Sequence, residues 1–126
     1  LELIYETPEE PLLPVTGDPA RLKQVLLNIL DNAAKYGKRG KRIELSAKNE
    51  GEYVKVMVRD HGPGFADEDL PHVKERFYKG RGKERGSGIG LAVCDEIVTR
   101  HRGRLTVGNC EDGGGLVTVE LPVKTQ

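Results

Sequence analysis

Cysteine is scarce in this chain, and its two copies, Cys94 and Cys110, form no CxxC pair. His61, His72 and His101 do not join them at metal-ligand spacing, so a zinc site and a disulfide framework are both excluded. Both thiols read as reduced and structural. Net charge is also missing: 20 Lys and Arg are balanced by 20 Asp and Glu. Nothing in that balance calls for nucleic acid or an anionic membrane, although it says nothing about small anions. No apolar run approaches the roughly 18 residues of a membrane span. The start, Leu1-Glu2-Leu3-Ile4-Tyr5-Glu6, lacks the basic-then-apolar order of a signal peptide. The expectation is a cytoplasmic protein with no direct membrane contact and no nucleic-acid partner. At 126 residues, the chain 1–126 suits one compact domain that buries its own core.

Several elements can be read directly. Leu3 to Thr7 suits a short edge strand, and Pro8, Pro11 and Pro14 then exclude helix. Asp18 followed by Pro19 is a helix start, because the carboxylate accepts first-turn amides and proline lacks only a donor that is not needed there. Leu22, Val25, Leu26, Ile29, Leu30 and Ala33 recur at helical spacing up to Gly37, which gives a helix over Pro19 to Tyr36. Alternation at Ile43, Leu45 and Ala47 and at Val54, Val56 and Val58 gives a hairpin linked by Asn49-Glu50-Gly51-Glu52. Asp67 to Phe77 reads as a short helix and loop. Ile89, Val93 and Ile97 mark a helix to about His101, with His101 complementing the helix dipole. Leu105 with Val107, and Val117 with Val119 and Leu121, are two further strands joined by Gly113-Gly114-Gly115. This order predicts an α+β two-layer sandwich: a mixed, largely antiparallel sheet with helices on one face.

Three blocks carry chemistry. On the first helix Asn28, Asn32 and Lys35 lie within roughly 40° of one face, where amide oxygens and an ammonium suit a magnesium-bound triphosphate. A polar stripe that simply meets water is the competing reading. In Asp60-His61-Gly62-Pro63-Gly64, the carboxylate only accepts hydrogen bonds, which matches the amino group of adenine and mismatches the carbonyl of guanine. An Asx turn closing the strand competes with that reading. Gly86-Ser87-Gly88-Ile89-Gly90-Leu91 puts bare backbone amides at a helix start, where phosphate is favoured, or is a plain flexible loop. It is neither a P-loop nor a dinucleotide fingerprint. Between the second and third blocks Arg76 and Lys79 are placed to reach β and γ phosphates, while Lys38-Arg39-Gly40-Lys41-Arg42 reads as a solvent-facing turn.

Together these residues resemble the catalytic ATP-binding domain of bacterial sensor histidine kinases, in the GHKL superfamily shared with gyrase, heat-shock protein 90 and mismatch-repair ATPases. Asn28 to Tyr36 is similar to the N box, Asp60 to Gly64 to the G1 box, Glu75-Arg76-Phe77-Tyr78 to the F box and Gly86 to Leu91 to the G2 box. The resemblance implies the Bergerat ATP-binding fold, with ATP and Mg²⁺ as cofactors. It implies that Asn32 ligates Mg²⁺, that Asn28 supports its waters or a phosphate, and that Lys35 and Arg76 contact phosphate. It further implies that Tyr36 stacks near adenine and that Asp60 bonds the adenine amino group. The wider nucleotide-contacting set is Gly62, Gly64, Phe77, Tyr78, Lys79, Gly86, Ser87, Gly88, Ile89, Gly90 and Leu91, with an ATP lid from about Phe77 to Ser87. His61, Lys74, Lys79 and Arg102 depart from the family's common Asn, Phe, Arg and Gly.

None of the three histidines has the neighbours of a phosphoacceptor, His-Glu-x-x-Thr-Pro. The resemblance therefore implies the ATP half of an enzyme whose dimerisation and sensor domains lie outside this chain. Its partners would be the histidine phosphotransfer domain of a homodimeric parent kinase, itself soluble or membrane-anchored, and a response regulator. The alternatives are a GHKL ATPase module, an anti-sigma-type serine kinase, and a degenerate docking scaffold. Asn28 stands where ATPase relatives have Glu, and intact Asn32, Asp60 and G2 glycines count against the scaffold.

Overall fold

The computed structural model describes residues 2–36, 42–75 and 90–124. In chain order these form β1 (Glu2–Glu6), α1 (Pro19–Tyr36), β2 (Arg42–Glu50), β3 (Tyr53–Asp60), a 3-10 turn at Leu70–His72, α2 (Gly90–Arg100), β4 (Arg104–Asn109) and β5 (Gly115–Pro122). The strands make one sheet in the order β1-β2-β3-β5-β4. Only the edge pair β1-β2 is parallel, and the other three pairs are antiparallel. The β2–β3 hairpin extends further than the alternation suggested: Glu50 pairs with Tyr53, which leaves Gly51 and Glu52 as the whole loop. Gly51 has a φ of +62°, a conformation glycine adopts without penalty. Of the expected Asp67–Phe77 helix and loop, the 3-10 turn is the helical part among the described residues, and Arg76 and Phe77 lie outside them.

Both helices cover the same face. Val25, Ile29 and Ala33 of α1 and Leu91, Cys94, Ile97 and Val98 of α2 form one buried cluster with Ile43, Val58, Leu105, Val117 and Val119 of the sheet. The opposite face carries cross-strand ion pairs, Lys55 to Glu50 at 3.3 Å and Arg104 to Glu120 at 3.4 Å. The architecture is thus the two-layer α+β sandwich expected from the sequence.

Local chemistry sets the helix ends. Asp18 Oδ1 accepts from the amides of Ala20 at 3.0 Å and Arg21 at 3.3 Å, and Pro19 opens the first turn. At the end of α2 the Gly103 amide donates to Val98 O and the Arg102 amide to Thr99 O, both at 2.9 Å, which is the Schellman pattern. The left-handed residue of that motif is Arg102, with a φ of 63°. An arginine there holds a conformation that a side chain disfavours. Arg102→Gly is expected to raise unfolding stability by about 0.5 to 1 kcal/mol, the relief of strain exceeding the added chain entropy. Urea denaturation checks this, and a loss of stability would contradict it.

The α2 end also corrects the reading of His101. Its Nδ1 donates to Ile97 O at 2.8 Å, and its Nε2 accepts from the Asp18 amide at 3.0 Å. A ring that donates from one nitrogen and accepts on the other is neutral, so His101 does not act as a cation on the helix dipole. It instead ties the end of α2 to the start of α1.

Candidate functional site

The sheet and both helices converge at one end of the sandwich. Val15 bridges Val123, just past β5, and Pro122 of β5 pairs with Tyr53, so α1 starts over the beginning of β3. Along its length α1 lays Leu22, Val25, Leu26 and Ile29 over Val56 and Val58. Its last turns therefore reach the Asp60 end of β3. Helix α2 runs the other way, because His101 at its end meets Asp18 at the start of α1. The start of α2, the end of α1 and the end of β3 thus share one end of the molecule.

Asp60 is the centre of that end. Its alternation with Val54 and Val58 places its carboxylate on the helix side, where the residue is 4% exposed. Oδ1 accepts from the Gly62 amide at 2.9 Å and the Gly115 amide at 3.1 Å. The Asx turn and the buried acceptor are therefore one arrangement and not rivals. The β4–β5 loop closes over it. A Cβ on Gly114, whose φ is +91°, would stand 2.0 Å from Asp60 O, and one on Gly115 would stand 2.9 Å from Asp60 Oδ2. Asn109 clasps Phe65 through both amide atoms: Oδ1 accepts from Phe65 N and Nδ2 donates to Phe65 O, each at 2.8 Å. A Cβ on Gly64, with a φ of +76°, would meet Asn109 Oδ1 at 2.7 Å. In the sequence Gly113-Gly114-Gly115 reads as a strand link only. The extra signal was there, since a reversal between two strands does not need three consecutive glycines.

His61 faces away from this centre. Its Nε2 lies 2.7 Å from Glu44 Oε2, and Arg59 lies between Glu44, at 4.0 Å, and Asp112, at 2.6 Å, on the open side of the sheet. A backbone amide of its loop, followed by Arg59, holds the Asp112 carboxyl below the usual carboxylate range.

Asn28 and Asn32 are half-buried on α1. Cys94, with no exposed surface, lies behind Asn28: its thiol donates to Val25 O at 3.6 Å and hydrogen-bonds the Asn28 side chain. Burial pushes the Cys94 thiol up from 9.0 to about 11, with Asn28 opposing that shift and Asp95 adding to it. The folded value lies above the unfolded one, so the stability it contributes is complete below pH 9 and is lost as pH rises towards about 11. At pH 8 a disulfide-exchange reagent is expected to titrate one thiol of the native chain, the half-buried Cys110, and two after denaturation. Two fast-reacting thiols in the native state would contradict this.

Lys35 and Tyr36 fall in the last turn of α1, and Gly90 opens α2. Leu91 is 8% exposed and belongs to the core, so its side chain packs inward. Arg76, Phe77, Tyr78, Lys79, Gly86, Ser87, Gly88 and Ile89 lie outside the described residues. Lys74, where the resembled family usually has phenylalanine, donates from Nζ to Leu105 O at 3.2 Å and lies 3.5 Å from Asp95 Oδ1. A charged contact to β4 and α2 therefore anchors this segment in place of an aromatic ring.

Among the described residues no three His, Cys, Asp or Glu side chains could hold a metal ion together. One or two amide oxygens suit a magnesium ion that keeps water and phosphate in its shell. The donor set fits a metal arriving with a triphosphate and not one held by a protein cage.

A buried carboxylate that accepts two backbone amides beside two helix ends makes this end of the α+β sandwich the candidate site. Residues 17–125 match the family described as histidine kinase-, DNA gyrase B-, and HSP90-like ATPase. The signal transduction histidine-protein kinase BaeS of Escherichia coli K12 is 36% identical over 98% of this chain, which spans 27% of BaeS. The sensor histidine kinase component HK1 of Mycobacterium tuberculosis is 41% identical over 92% of this chain, which spans 69% of it. The crystal structure of full-length ShkA in complex with AMPPNP superposes with a TM-score of 0.82 at 30% identity, covering 99% of this chain and 26% of ShkA. The chain belongs to the histidine kinase-type ATPase family, as the counterpart of the catalytic domains of sensor histidine kinases. No helix among the described residues is long and apolar enough to cross a membrane.

Proposed function

We propose that this chain binds Mg-ATP at the Asp60 end and presents the γ-phosphoryl to a histidine on the dimerisation domain of its parent kinase, for relay to a response regulator. The parent would be a homodimer working at the cytoplasmic side, itself soluble or membrane-anchored. The observation that carries this reading is the buried Asp60 carboxylate, held by two backbone amides where the end of α1 meets the start of α2. The AMPPNP bound to full-length ShkA supports it.

In this reading Asp60 accepts from the adenine amino group, and Gly62 and Gly64 let the base approach the turn. Tyr36 stacks near the base. Asn32 ligates Mg²⁺ and Asn28 supports its waters or a phosphate. Lys35, Arg76 and Lys79 contact phosphate, and the stretch from Gly86 to Leu91 supplies backbone amides. The metal, when bound with the nucleotide, neutralises phosphate charge. The acceptor imidazole nitrogen brings its own lone pair. It forms the bond to the γ-phosphorus as the bond to the β-bridging oxygen breaks and ADP leaves. Positioning therefore matters more than a protein base. Asn28, a neutral amide, cannot deprotonate water, which favours transfer over hydrolysis.

Mixing the chain with labelled ATP and candidate histidine-bearing dimerisation domains is expected to place acid-labile, alkali-stable label on one of them. Acid-stable label would identify a hydroxyl acceptor and overturn the histidine assignment. Calorimetry is expected to show ATP or ADP binding that strengthens with magnesium. No heat at millimolar ATP would remove the nucleotide reading itself.

A further inference from the structure

Between α1 and the sheet lies a half-open cleft of about 120 Å³, lined by nine side chains that are all valine, leucine or isoleucine. We propose that this cleft is a binding site for a small, uncharged, hydrocarbon-like molecule, separate from the Asp60 end. Val25, Ile29, Val117 and Val119 form its floor and are each 6% exposed or less. Leu22, Leu26, Val56 and Leu121 are half-buried and form a rim through which a ligand enters.

The lining decides the ligand class. No lining residue has a polar side chain, so a water molecule against the floor gains no side-chain hydrogen bond. The facing walls of the cleft also forgo dispersion contacts with each other across the gap. A ligand that restores those contacts without carrying a charge or an unmatched hydrogen-bonding group is therefore favoured, and an ion or polar molecule is not. Size narrows the class further. A somewhat larger apolar cavity, of about 150 Å³, is enough to take benzene or xenon, so the occupant here is a compact ring or short alkyl group.

The site lies along the first half of α1, on its Ile29 side, whereas Asn28 and Asn32 stand on a different side of the same helix. The proposal thus stands independently of what binds at Asp60.

Benzene is the probe, with pyridine as a control of the same size that carries a hydrogen-bond acceptor. Methyl NMR of the whole chain is expected to show saturable benzene-induced shifts at Val25, Ile29, Val117 and Val119, smaller ones elsewhere, and at least ~10-fold weaker binding of pyridine. Saturating benzene is expected to raise the thermal midpoint by roughly 4 °C, because it binds only the folded state. Val119→Ile is expected to remove the saturable shifts by filling the space. If that substitution perturbs folding, Val56→Ile fills it from the rim. Shifts that never saturate, that persist in a folded filled variant, or that are matched by pyridine would overturn the proposal.

Discussion

Asp60→Asn is expected to weaken ADP and ATP binding by about 5- to 150-fold while leaving bare triphosphate binding nearly unchanged. The fold should survive, because the asparagine Oδ1 can still accept from the Gly62 and Gly115 amides that Asp60 engages now. The other terminal atom changes character. An acceptor oxygen becomes a donor NH₂, which opposes the adenine amino group. Losing a charged hydrogen bond in a site 4% exposed and leaving two donors face to face costs on the order of 1 to 3 kcal/mol, which gives the stated range. Calorimetry with ADP and with inorganic triphosphate separates the base from the phosphates. Equal weakening of both would mean that Asp60 acts on the fold and not on adenine.

Gly114→Ala is expected to be the most damaging glycine-to-alanine change among the described residues, at about 3 kcal/mol or more, or a fall of roughly 12 °C in the thermal midpoint. Two costs coincide there. The backbone has a φ of +91°, and the added methyl would stand 2.0 Å from the carbonyl oxygen of Asp60. That oxygen is backbone at the end of a central strand and has little freedom to retreat. The neighbouring Gly113 provides the control: its φ is +103°, yet nothing lies within 4 Å of a Cβ built there. Gly113→Ala should therefore carry the strain alone, about 1 kcal/mol. Similar midpoints for the two variants would show that loop strain, and not contact with Asp60, makes Gly114 necessary. Nucleotide binding should fall with Gly114→Ala and persist with Gly113→Ala.

The contrast between these glycines shows what local sequence can and cannot reveal. α1 was fully legible, because Asp18, Pro19 and the apolar stripe act within a few residues of one another. The four strands after α1 were legible for the same reason, since alternation is a local property. The parallel pairing of β1 with β2 was not foreseen, nor was the place of β5 between β3 and β4, because strand order depends on partners distant in sequence. The clasp of Asn109 on Phe65 joins residues 44 positions apart, and neither residue type announces the pairing. Within the candidate site, residue type and spacing single out Asn28, Asn32 and Asp60, the two asparagines half-buried and the carboxylate buried. Leu91 closes a glycine motif in the sequence, and its side chain packs with the apolar stripe of α2 beside Cys94 and Val98. His101 shows the same limit: one neighbour, Ile97, is local, but the Asp18 amide that requires a neutral ring lies 83 positions away.

The helix-free face of the sheet has a consequence for assembly. Glutamates 44, 50 and 120 sit there opposite Arg59, Lys55 and Arg104, so acids and bases are interleaved across neighbouring strands. Another sheet or helix laid on that surface would have to strip water from all three pairs, a penalty that new contacts seldom recover. Contact with other macromolecules is thereby steered to the flanks of the sheet and the helical side.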